Sequence, residues 1–375
     1  MTAFLISGAD VERLNSYSLP AVLNALLTAE ANLRGVPLSG LNLTMRTTDP
    51  DAGVDGSIVW PKKTSHDHFR PGTIAVQYKA GKLKSGDIRT EFAKKGVRHT
   101  LKRASGQYVL FVGHEYAVAT RTKHRRTLRD LCKRRGIKPS RCSILYADQI
   151  ARWISRFPAL AIGPEFGKAY PAFATVAQWR ELRNLKNPFK LNQDRELVIN
   201  QLRSFAQSAS DENIFRVEGQ AGVGKTRLVL EALKADGIAQ RTLYCIDADG
   251  PPAQQLLAAL QSEIQASAIV VLDECERSRQ EELSPYAEFS GGRLRMVCIG
   301  PTEKLLGTTT PISGNLYQLR PLPQEEMESI IADAHPGAPQ EIVNFAVRLS
   351  GGMPKLAIFI TDTLEAIAQP SVRRS

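Results

Sequence analysis

Apolar and polar positions in the first half of the chain predict a helix followed by several short strands. Apolar residues recur at helical spacing in LPAVLNALLTAEANLRG, which ends at Gly35. Strand-length apolar runs then occur at 56–60 (GSIVW), 73–79 (TIAVQYK) and 108–113 (YVLFVG), with a polar, helix-like stretch between the last two. We therefore expect an α/β domain over residues 1–165.

The second half alternates apolar strands with helical stretches, which is typical of a doubly wound parallel sheet. The expected strands are IFRVEG, RTLYCID, AIVVLDE and RLRMVCIG, and from Pro323 onward the pattern is helical. These patterns predict a helical linker at 166–205, an α/β core at 206–322 and a helical lid at 323–375. The expected fold class is α/β in both halves of the chain.

The composition is that of a soluble globular protein, with 43% hydrophobic and 23% charged residues. No apolar run of about eighteen residues is present, and the N-terminus lacks the pattern of a signal peptide, so no membrane association is expected. The five cysteines are scattered without a CxxC pair, which argues against a disulfide framework or a zinc site. These features favour a cytoplasmic protein.

Positive charge is concentrated in the first half. Residues 1–165 hold 27 Lys and Arg against 13 Asp and Glu, a net charge of +14, whereas the rest of the chain carries −3. This asymmetry predicts that only the first half meets a polyanion such as double-stranded DNA; a solvated basic helix face is the alternative. The candidate phosphate contacts are Lys82, Lys84, Lys94, Lys95, Arg125, Arg126, Arg129, Lys133, Arg134 and Arg135.

A glycine-rich motif in the second half predicts a nucleotide site. GQAGVGKT, from Gly219 to Thr226, fits GxxxxGK[ST] and lies between an apolar strand and a helix, as the motif requires. Gly219, Gly222 and Gly224 let backbone N–H groups turn toward phosphates at the positive end of the helix dipole. Lys225 is expected to reach the β- and γ-phosphates, and the Thr226 hydroxyl to bind Mg²⁺.

A second motif, AIVVLDE, places two acidic residues at the end of a buried strand. Asp273 is expected to hold Mg²⁺ and Glu274 to orient the attacking water; capping of the next helix is the alternative. No NKxD motif is present, so ATP is favoured over GTP. A polar residue within 301–303 is a candidate sensor of the γ-phosphate, with a plain loop as the alternative.

A third motif, SGGMPKLAI, contains the Gly-x-Pro motif Gly352-Met353-Pro354 and opens an apolar helix behind the core. Together with the P-loop, the Asp273–Glu274 pair and LRPLPQEEMESII, it resembles the STAND class of ATPases, which includes NB-ARC proteins and NOD-like receptors. The resemblance covers about 214 to 369. It implies that Pro354 touches the base or ribose, and that ADP holds a closed monomer whereas ATP permits an open oligomer.

The first half contains Asp55 in VDGSIVW and Gln77-Tyr78-Lys79 in the next strand. This order resembles the PD-(D/E)xK restriction-endonuclease fold in its Mrr-like branch. The resemblance implies that Asp55 and Gln77 hold Mg²⁺, that Lys79 stabilises developing charge, and that Glu30 on the preceding helix is an additional acid. An exposed edge strand with an ordinary lysine is the alternative, and Gln77 in place of an acid leaves open DNA binding without cleavage.

Three histidines and an aspartate of the first half give no set of metal ligands. We expect them to be surface residues: His66, Asp67, His68 and His99.

A nuclease-like domain joined to a STAND ATPase resembles the effector-armed antiviral STAND NTPases of bacteria. The resemblance implies a homo-oligomer, expected to be a tetramer, that a viral protein triggers through a sensor domain. No sensor follows the Gly-x-Pro helix before Ser375, so either the chain is truncated or another polypeptide binds the trigger. Two alternatives are a non-cleaving DNA-binding regulator with an ATP switch and an ATP-dependent restriction subunit.

Overall fold

The protein, described by a computed structural model, divides into two compact units. The first comprises residues 1–169 with 236–241 and 265–267, and the second comprises 170–235, 242–264 and 268–375. The structure describes residues 4–44, 54–167, 170, 172–185, 189–207, 212–302 and 316–368.

The first unit is built on a mixed five-stranded sheet. Its strands are β1 (Leu41–Leu43), β2 (Gly56–Trp60), β3 (Gly72–Lys79), β4 (Gln107–Val112) and β5 (Cys142–Tyr146). Its α-helices are α1 (Gly8–Glu12), α2 (Ser18–Leu33), α3 (Ser85–Ala93), α4 (Lys95–Lys102), α5 (Val118–Arg134), α6 (Ala147–Ile154) and α7 (Pro158–Ala161). Short 3₁₀ turns lie at 38–40, 139–141, 164–166 and 239–241.

The strands of this sheet follow one another in chain order, from β1 to β5. β1, β2 and β3 pair antiparallel, whereas β3, β4 and β5 pair parallel. All six residues of β4 are buried, because helices cover both faces of this part of the sheet. Ala75 and Leu110 pack in a cluster with α3, α4 and α5, and the opposite face packs against α2 through Tyr78, whose hydroxyl donates to Asn24 at 2.8 Å.

The second unit is built on a six-stranded sheet followed by three helices. Its strands are β6 (Phe173–Ala174), β7 (Ile214–Glu218), β8 (Thr242–Cys245), β9 (Ala268–Leu272), β10 (Leu294–Gly300) and β11 (Leu316–Gln318). Its helices are α8 (Val176–Leu182), α9 (Gln193–Gln207), α10 (Lys225–Leu233), α11 (Pro251–Ser262), α12 (Arg277–Glu288), α13 (Gln324–Ala334), α14 (Gln340–Ser350) and α15 (Pro354–Ala368).

The strand order in this second sheet is β11-β7-β10-β9-β8-β6. All neighbours pair parallel except β6, which pairs antiparallel with β8 at the edge. β9 and β10 are buried throughout, and their nearly unbroken apolar runs are those of central parallel strands. The parallel arrangement brings the carboxyl ends of β7, β9 and β8 to one edge, where ligands bind in open α/β sheets. The buried parallel sheet confirms the α/β fold class predicted for the second half.

The helices α13, α14 and α15 pack around a small core of their own, which includes Met327, Ile331 and Ala346. A turn at Gly351 and Gly352 joins α14 to α15. Gly352 has φ +83°, and a Cβ there would lie 2.5 Å from the carbonyl oxygen of Leu322, so this turn requires glycine. Within the described ranges, no helix combines the length and the apolar character needed to cross a bilayer.

Candidate functional site

The P-loop connects β7 to α10 and turns at glycines. Gly224 caps α10 with φ +101°, a conformation that side chains rarely adopt, and Lys225 and Thr226 form the first turn of the helix. The Nζ of Lys225 donates to the carbonyl oxygens of Gly219 at 2.8 Å and Gln220 at 3.0 Å. Lys225, the cation that would bind phosphate, is therefore held by carbonyl oxygens of its own loop.

Thr226 meets Asp273 at the adjoining strand end. The Thr226 hydroxyl oxygen lies 3.1 Å from each carboxylate oxygen of Asp273, which follows β9. A hydroxyl and a carboxylate supply the hard oxygen ligands that Mg²⁺ prefers when it also binds phosphates. The residues thus fit a magnesium site at the position that the two motifs predict.

The backbone at Glu274 adopts a left-handed conformation with φ +58°, which is uncommon for a residue with a side chain. The backbone N–H of Glu274 donates to the Asp273 carboxylate at 3.0 Å. The Glu274 side chain is 78% exposed and lines the pocket, so its carboxylate is accessible to a water molecule there. Such local strain costs about 1–3 kcal/mol and is commonly found at functional sites.

Two residues from other elements join the acidic pair. The hydroxyl of Tyr244, on β8, donates to Asp273 at 3.2 Å and accepts from Nε of Arg183 at 2.6 Å. The terminal nitrogens of Arg183 lie 3.7 Å from the Asp273 carboxylate and 3.6 Å from that of Glu274. Arg183 therefore adds a cation beside the acidic pair.

The ionisation of these groups reflects burial opposed by their partners. Burial raises the pKa of Asp273 despite the opposing influence of Arg183 and Thr226. Burial lowers the pKa of Lys225, against the attraction of the two carboxylates. Burial also opposes the charge of Arg183, but the Tyr244 hydroxyl and the carboxylates outweigh it and raise the Arg183 pKa.

A pocket of about 740 Å³ opens over the P-loop, a volume in the range of small-ligand sites. Besides the phosphate-loop residues it is lined by Phe189 and Ile330, and by Pro354 and Lys355 at the start of α15. The N–H of Lys355 points to the carbonyl oxygen of Gly222 at 3.5 Å. Pro354, the last residue of the Gly-x-Pro motif, thus lines the same pocket as the P-loop.

In the first unit, Asp55 lies next to the strand that carries Gln77 and Lys79. In the register of β2 and β3, Gly56 lies opposite Val76. Continuing this register by one residue places Asp55 opposite Gln77. The Asp55 carboxylate accepts the backbone N–H of Tyr78 at 2.5 Å, and the Gln77 amide oxygen accepts the Tyr108 hydroxyl at 2.9 Å. By alternation along β3, Lys79 shares the face of Gln77.

These residues are largely enclosed. Asp55 is 6% exposed and Gln77 is 2% exposed, whereas Lys79 is partly exposed. Within the described ranges, no cluster of three or more His, Cys, Asp or Glu side chains has metal-binding geometry. A metal at this position would therefore depend on Asp55, the Gln77 amide oxygen and backbone or water oxygens.

Glu30 lies elsewhere, on the opposite face of the sheet, and the expectation that it joins Gln77 and Lys79 is corrected here. Its fully buried carboxylate accepts from Trp153 Nε1 at 2.8 Å and from Arg34 Nε at 2.9 Å. Burial opposes its ionisation, but His66 and Arg156 lower the pKa of Glu30 to about 2. Helical spacing alone could not show which face of the sheet α2 covers.

The prediction that His66 is a surface residue is wrong. Its side chain is 1% exposed, lies 3.5 Å from Glu30 and stacks on Phe69. Its Nδ1 accepts the backbone N–H groups of His68 and Phe69, so the ring fixes the loop after β2. Asp67 and His99 are exposed as expected, and His68 is half-buried.

The basic residues of α5 form an exposed face. Arg125, Arg126, Arg129 and Lys133 recur at the spacing of one helix side, opposite the buried His124 and Leu128. Where the structure describes both partners, no ion pair joins these four cations to a carboxylate. Lys82, Lys84, Lys95 and Arg134 are exposed too.

Two of the predicted phosphate contacts have partners within the first unit. Arg135 donates to the carbonyl oxygen of Phe92 at 2.9 Å and lies over its ring. Lys94 pairs with Glu91 at 2.6 Å. Arg135 therefore packs against Phe92 while its side chain stays exposed.

Sequence reasoning missed Arg183 and Tyr244. The available signal for Tyr244 was its position in RTLYCID, because the ends of neighbouring parallel strands meet. Arg183 gave no signal, since it is far from Asp273 along the chain and only the fold brings the two side chains together. In the segment 301–303, where a polar γ-phosphate sensor is expected, Pro301 lines the pocket and Thr302 accepts from Gln318 at 3.3 Å, whereas Glu303 lies outside the described residues.

No family model matches the chain, and no curated protein matches it. Among solved structures it is similar to PCH-2 from C. elegans, at 14% identity and a TM-score of 0.28, over 47% of this chain and 62% of that one. It is similar to the S. cerevisiae Hsp104–ADP complex at 11% identity and a TM-score of 0.35, over 53% and 42%.

A further similarity is to a STAND protein with a tetratricopeptide repeat sensor from Pyrococcus horikoshii. The identity is 13% and the TM-score 0.28, over 44% of this chain and 28% of that one. The chain thus spans less than two thirds of each of the three proteins. At these low scores, membership of a family is not shown.

Proposed function

We propose that this chain is a magnesium-dependent ATPase whose nucleotide state controls a DNA-processing N-terminal unit. The observation that carries the ATPase part is the contact between Thr226 and both carboxylate oxygens of Asp273, beside a glycine-rich loop at a helix N-terminus. Lys225 would leave the carbonyl oxygens of its own loop for the β- and γ-phosphates. A metal bound at Thr226 and Asp273 would neutralise charge on those phosphates.

The remaining residues of the pocket support hydrolysis and a nucleotide switch. The exposed Glu274 would orient the attacking water and accept its proton. Pro354, at the start of α15 within the lid, would contact the base or ribose, so that the lid responds to the nucleotide. The resemblance to STAND ATPases supports ATP-dependent homo-oligomerisation, which we propose gives a tetramer.

For the first unit we propose binding and metal-dependent cleavage of double-stranded DNA. Support comes from Asp55 opposite Gln77, with Lys79 on the same face. The N–H of Gly113, just after β4, donates to the carbonyl oxygen of Lys79 at 2.8 Å, and α5 begins shortly afterwards. α5 therefore starts near the strand edge that carries Lys79, and its basic face, from Arg125 to Lys133, begins about two turns further along the helix. There it would guide a phosphodiester toward the lysine.

DNA binding without cleavage is the second candidate, and one observation favours it. The oxygens of Asp55 and Gln77 that would hold a metal already accept hydrogen bonds from the Tyr78 backbone and the Tyr108 hydroxyl. Both side chains are buried as well. For cleavage, a metal would have to share these oxygens with those hydrogen bonds or use the other carboxylate oxygen of Asp55.

By its resemblance to effector-armed STAND NTPases, we propose that the protein acts in bacterial antiviral defence, in the cytoplasm. A viral protein would be the trigger, recognised through a sensor region or a separate polypeptide. The ATPase would then bring the DNA-processing units together.

The proposed function is tested by incubating the purified protein with plasmid DNA, Mg²⁺ and ATP. Wild type is compared with Lys79→Ala, Lys225→Ala and, as a matched control, Lys62→Ala, which removes an exposed lysine after β2. Cleavage by wild type and Lys62→Ala, lost in the other two, supports a nuclease under ATP control. DNA binding by all four without cleavage favours the non-cleaving regulator.

A further inference from the structure

Arg183 occupies a position that neither motif of the nucleotide site explains. Its terminal nitrogens lie 3.6–3.7 Å from the carboxylates of Asp273 and Glu274, and its side chain lines the same pocket as Lys225 and Thr226. These separations exceed the length of a charge-assisted hydrogen bond, which is roughly 2.7–2.9 Å. The terminal nitrogens are thus attracted to the acidic pair without being committed to it.

The end of α8 fixes the backbone of Arg183. The N–H of Asn184 donates to the carbonyl oxygen of Glu181, and that of Leu185 to the carbonyl oxygen of Arg180, both at 3.0 Å. Asn184 has φ +49°, so the three residues end the helix in a Schellman motif with Arg183 as the cap. Arg227, in the helix after the P-loop, donates to the carbonyl oxygen of Leu185 and anchors this turn to the nucleotide site.

Aromatic packing fixes the direction of the side chain. Trp179 lies one turn before Arg183 on the same helix face, and its ring stacks on Tyr244 at 4.6 Å with an interplanar angle of 12°. The Tyr244 hydroxyl holds Nε of Arg183 at 2.6 Å. Only Nε is used by this contact, and the terminal nitrogens face the end of β9.

We propose that Arg183 is a catalytic residue for ATP hydrolysis, which contacts the γ-phosphate through its terminal nitrogens. The inference rests on the proposed ATPase function and adds to it a residue that the motifs do not supply. A γ-phosphate reached by Lys225 and attacked by water at Glu274 would lie beside the guanidinium group. Asp273 and Thr226 would hold a magnesium ion that offsets the charge of Asp273, so the phosphate would become the stronger partner for Arg183.

In the reaction, the water oxygen bonds to the γ-phosphorus while the bond from that phosphorus to the bridging oxygen breaks. ADP leaves with the electron pair, and a water proton passes to Glu274. Charge spreads over the oxygens of the transferred phosphoryl group, and an arginine supplied within the same chain stabilises it. Arg183 would provide this charge without a second subunit.

The test separates γ-phosphate contact from a structural role by comparing two nucleotides. The affinities of wild type and Arg183→Ala for ADP and for β,γ-imido-ATP are measured by calorimetry with Mg²⁺, and ATP turnover is measured in parallel. We expect Arg183→Ala to bind ADP within about twofold of wild type. Its affinity for the imido analogue should fall about 10-fold or more, since a hydrogen bond to a charged group is lost, and kcat should fall about 100-fold.

Two further variants complete the test. Arg180→Ala removes an exposed arginine one turn earlier on α8 and should match wild type in all measurements. Arg183→Lys keeps the charge and should lie between wild type and Arg183→Ala in kcat. Binding of ADP by each variant shows that its site is folded.

The outcomes distinguish this inference from the proposed function. If wild type binds neither nucleotide, the proposed ATPase function is overturned. If wild type binds and hydrolyses ATP while Arg183→Ala weakens both nucleotides equally or leaves both unchanged, Arg183 only neutralises the acidic pair. The assignment of Arg183 as a catalytic residue then fails.

Discussion

The hydroxyl of Thr226 lies 3.1 Å from each carboxylate oxygen of Asp273, although the two residues are 47 positions apart in the chain. The pairing joins the first turn of α10 to the end of β9. It brings together the two side chains that would share a magnesium ion, and the first prediction follows from it.

Replacing Thr226 by Val should remove a metal ligand while keeping the shape of the side chain. We expect ATP turnover to fall by about 100-fold or more, because stabilisation of the phosphates by the metal is worth several kcal/mol. Thr226→Ser, which keeps the hydroxyl, is the matched control and should stay near wild type. Equal turnover in Thr226→Val and wild type would show that this hydroxyl does not bind the metal.

Replacing Glu274 by Gln should separate binding from hydrolysis. The amide can no longer accept the water proton, so kcat should fall about 100-fold or more while ATP affinity stays near that of wild type. Glu288→Gln changes an exposed acid of α12 in the same way and should leave turnover unchanged. Turnover at the wild-type rate in Glu274→Gln would assign the water-orienting role to another residue.

Local patterns were sufficient to predict the core of the second unit. The P-loop and the strand ending at Asp273 are contiguous motifs. A nucleotide requires a particular backbone conformation and particular charges around it, and these requirements determine the residue types of both motifs. The strand of 56–60 was predicted with the bounds that the structure gives to β2, since its flanking residues are clear turn signals.

Contacts between distant segments could not be predicted. Arg183 and Tyr244 are 61 residues apart, and Glu30 and Trp153 are 123 apart. An acid on an amphipathic helix can point toward a site or into a buried ionic cluster, and only the packing of α2 decides between them. The same reason explains why His66 was predicted at the surface.

Glu30 is therefore predicted to contribute to stability. Its pKa falls from 4.5 to about 2 in the folded protein. A lowered pKa stabilises the fold above the unfolded value, so Glu30→Gln should cost about 3 kcal/mol at pH 7. The difference from wild type should shrink as the pH falls from 4.5 through 2, because the carboxylate is protonated first in the unfolded and then in the folded protein.

Urea denaturation of wild type and Glu30→Gln at pH 7 and pH 3 measures this difference. Glu165→Gln, an exposed acid of the same unit, is the control and should unfold like wild type at both values. A cost for Glu30→Gln that does not change with pH would show that the carboxylate charge is not the stabilising feature.

DNA binding by the first unit should depend on the basic face of α5. Log affinity falls as log salt rises, and each phosphate contact that is lost makes this slope shallower by about one. The double variant Arg126→Ala with Arg129→Ala should therefore make it shallower by about two. Arg13→Ala with Arg152→Ala removes the same charge from side chains that are 79% and 76% exposed elsewhere in the unit, and should change the slope little. Equal changes in the two pairs would mean that net charge, and not this face, governs binding.

We propose that the pocket over the P-loop binds ATP with Mg²⁺ through Lys225. Calorimetric titration of the full chain with Mg²⁺ and β,γ-imido-ATP tests it most directly, with Lys225→Ala and the exposed Lys62→Ala compared with wild type. We expect saturable binding of the nucleotide by wild type and Lys62→Ala, and no binding by Lys225→Ala. Binding of equal affinity in all three proteins would contradict the claim.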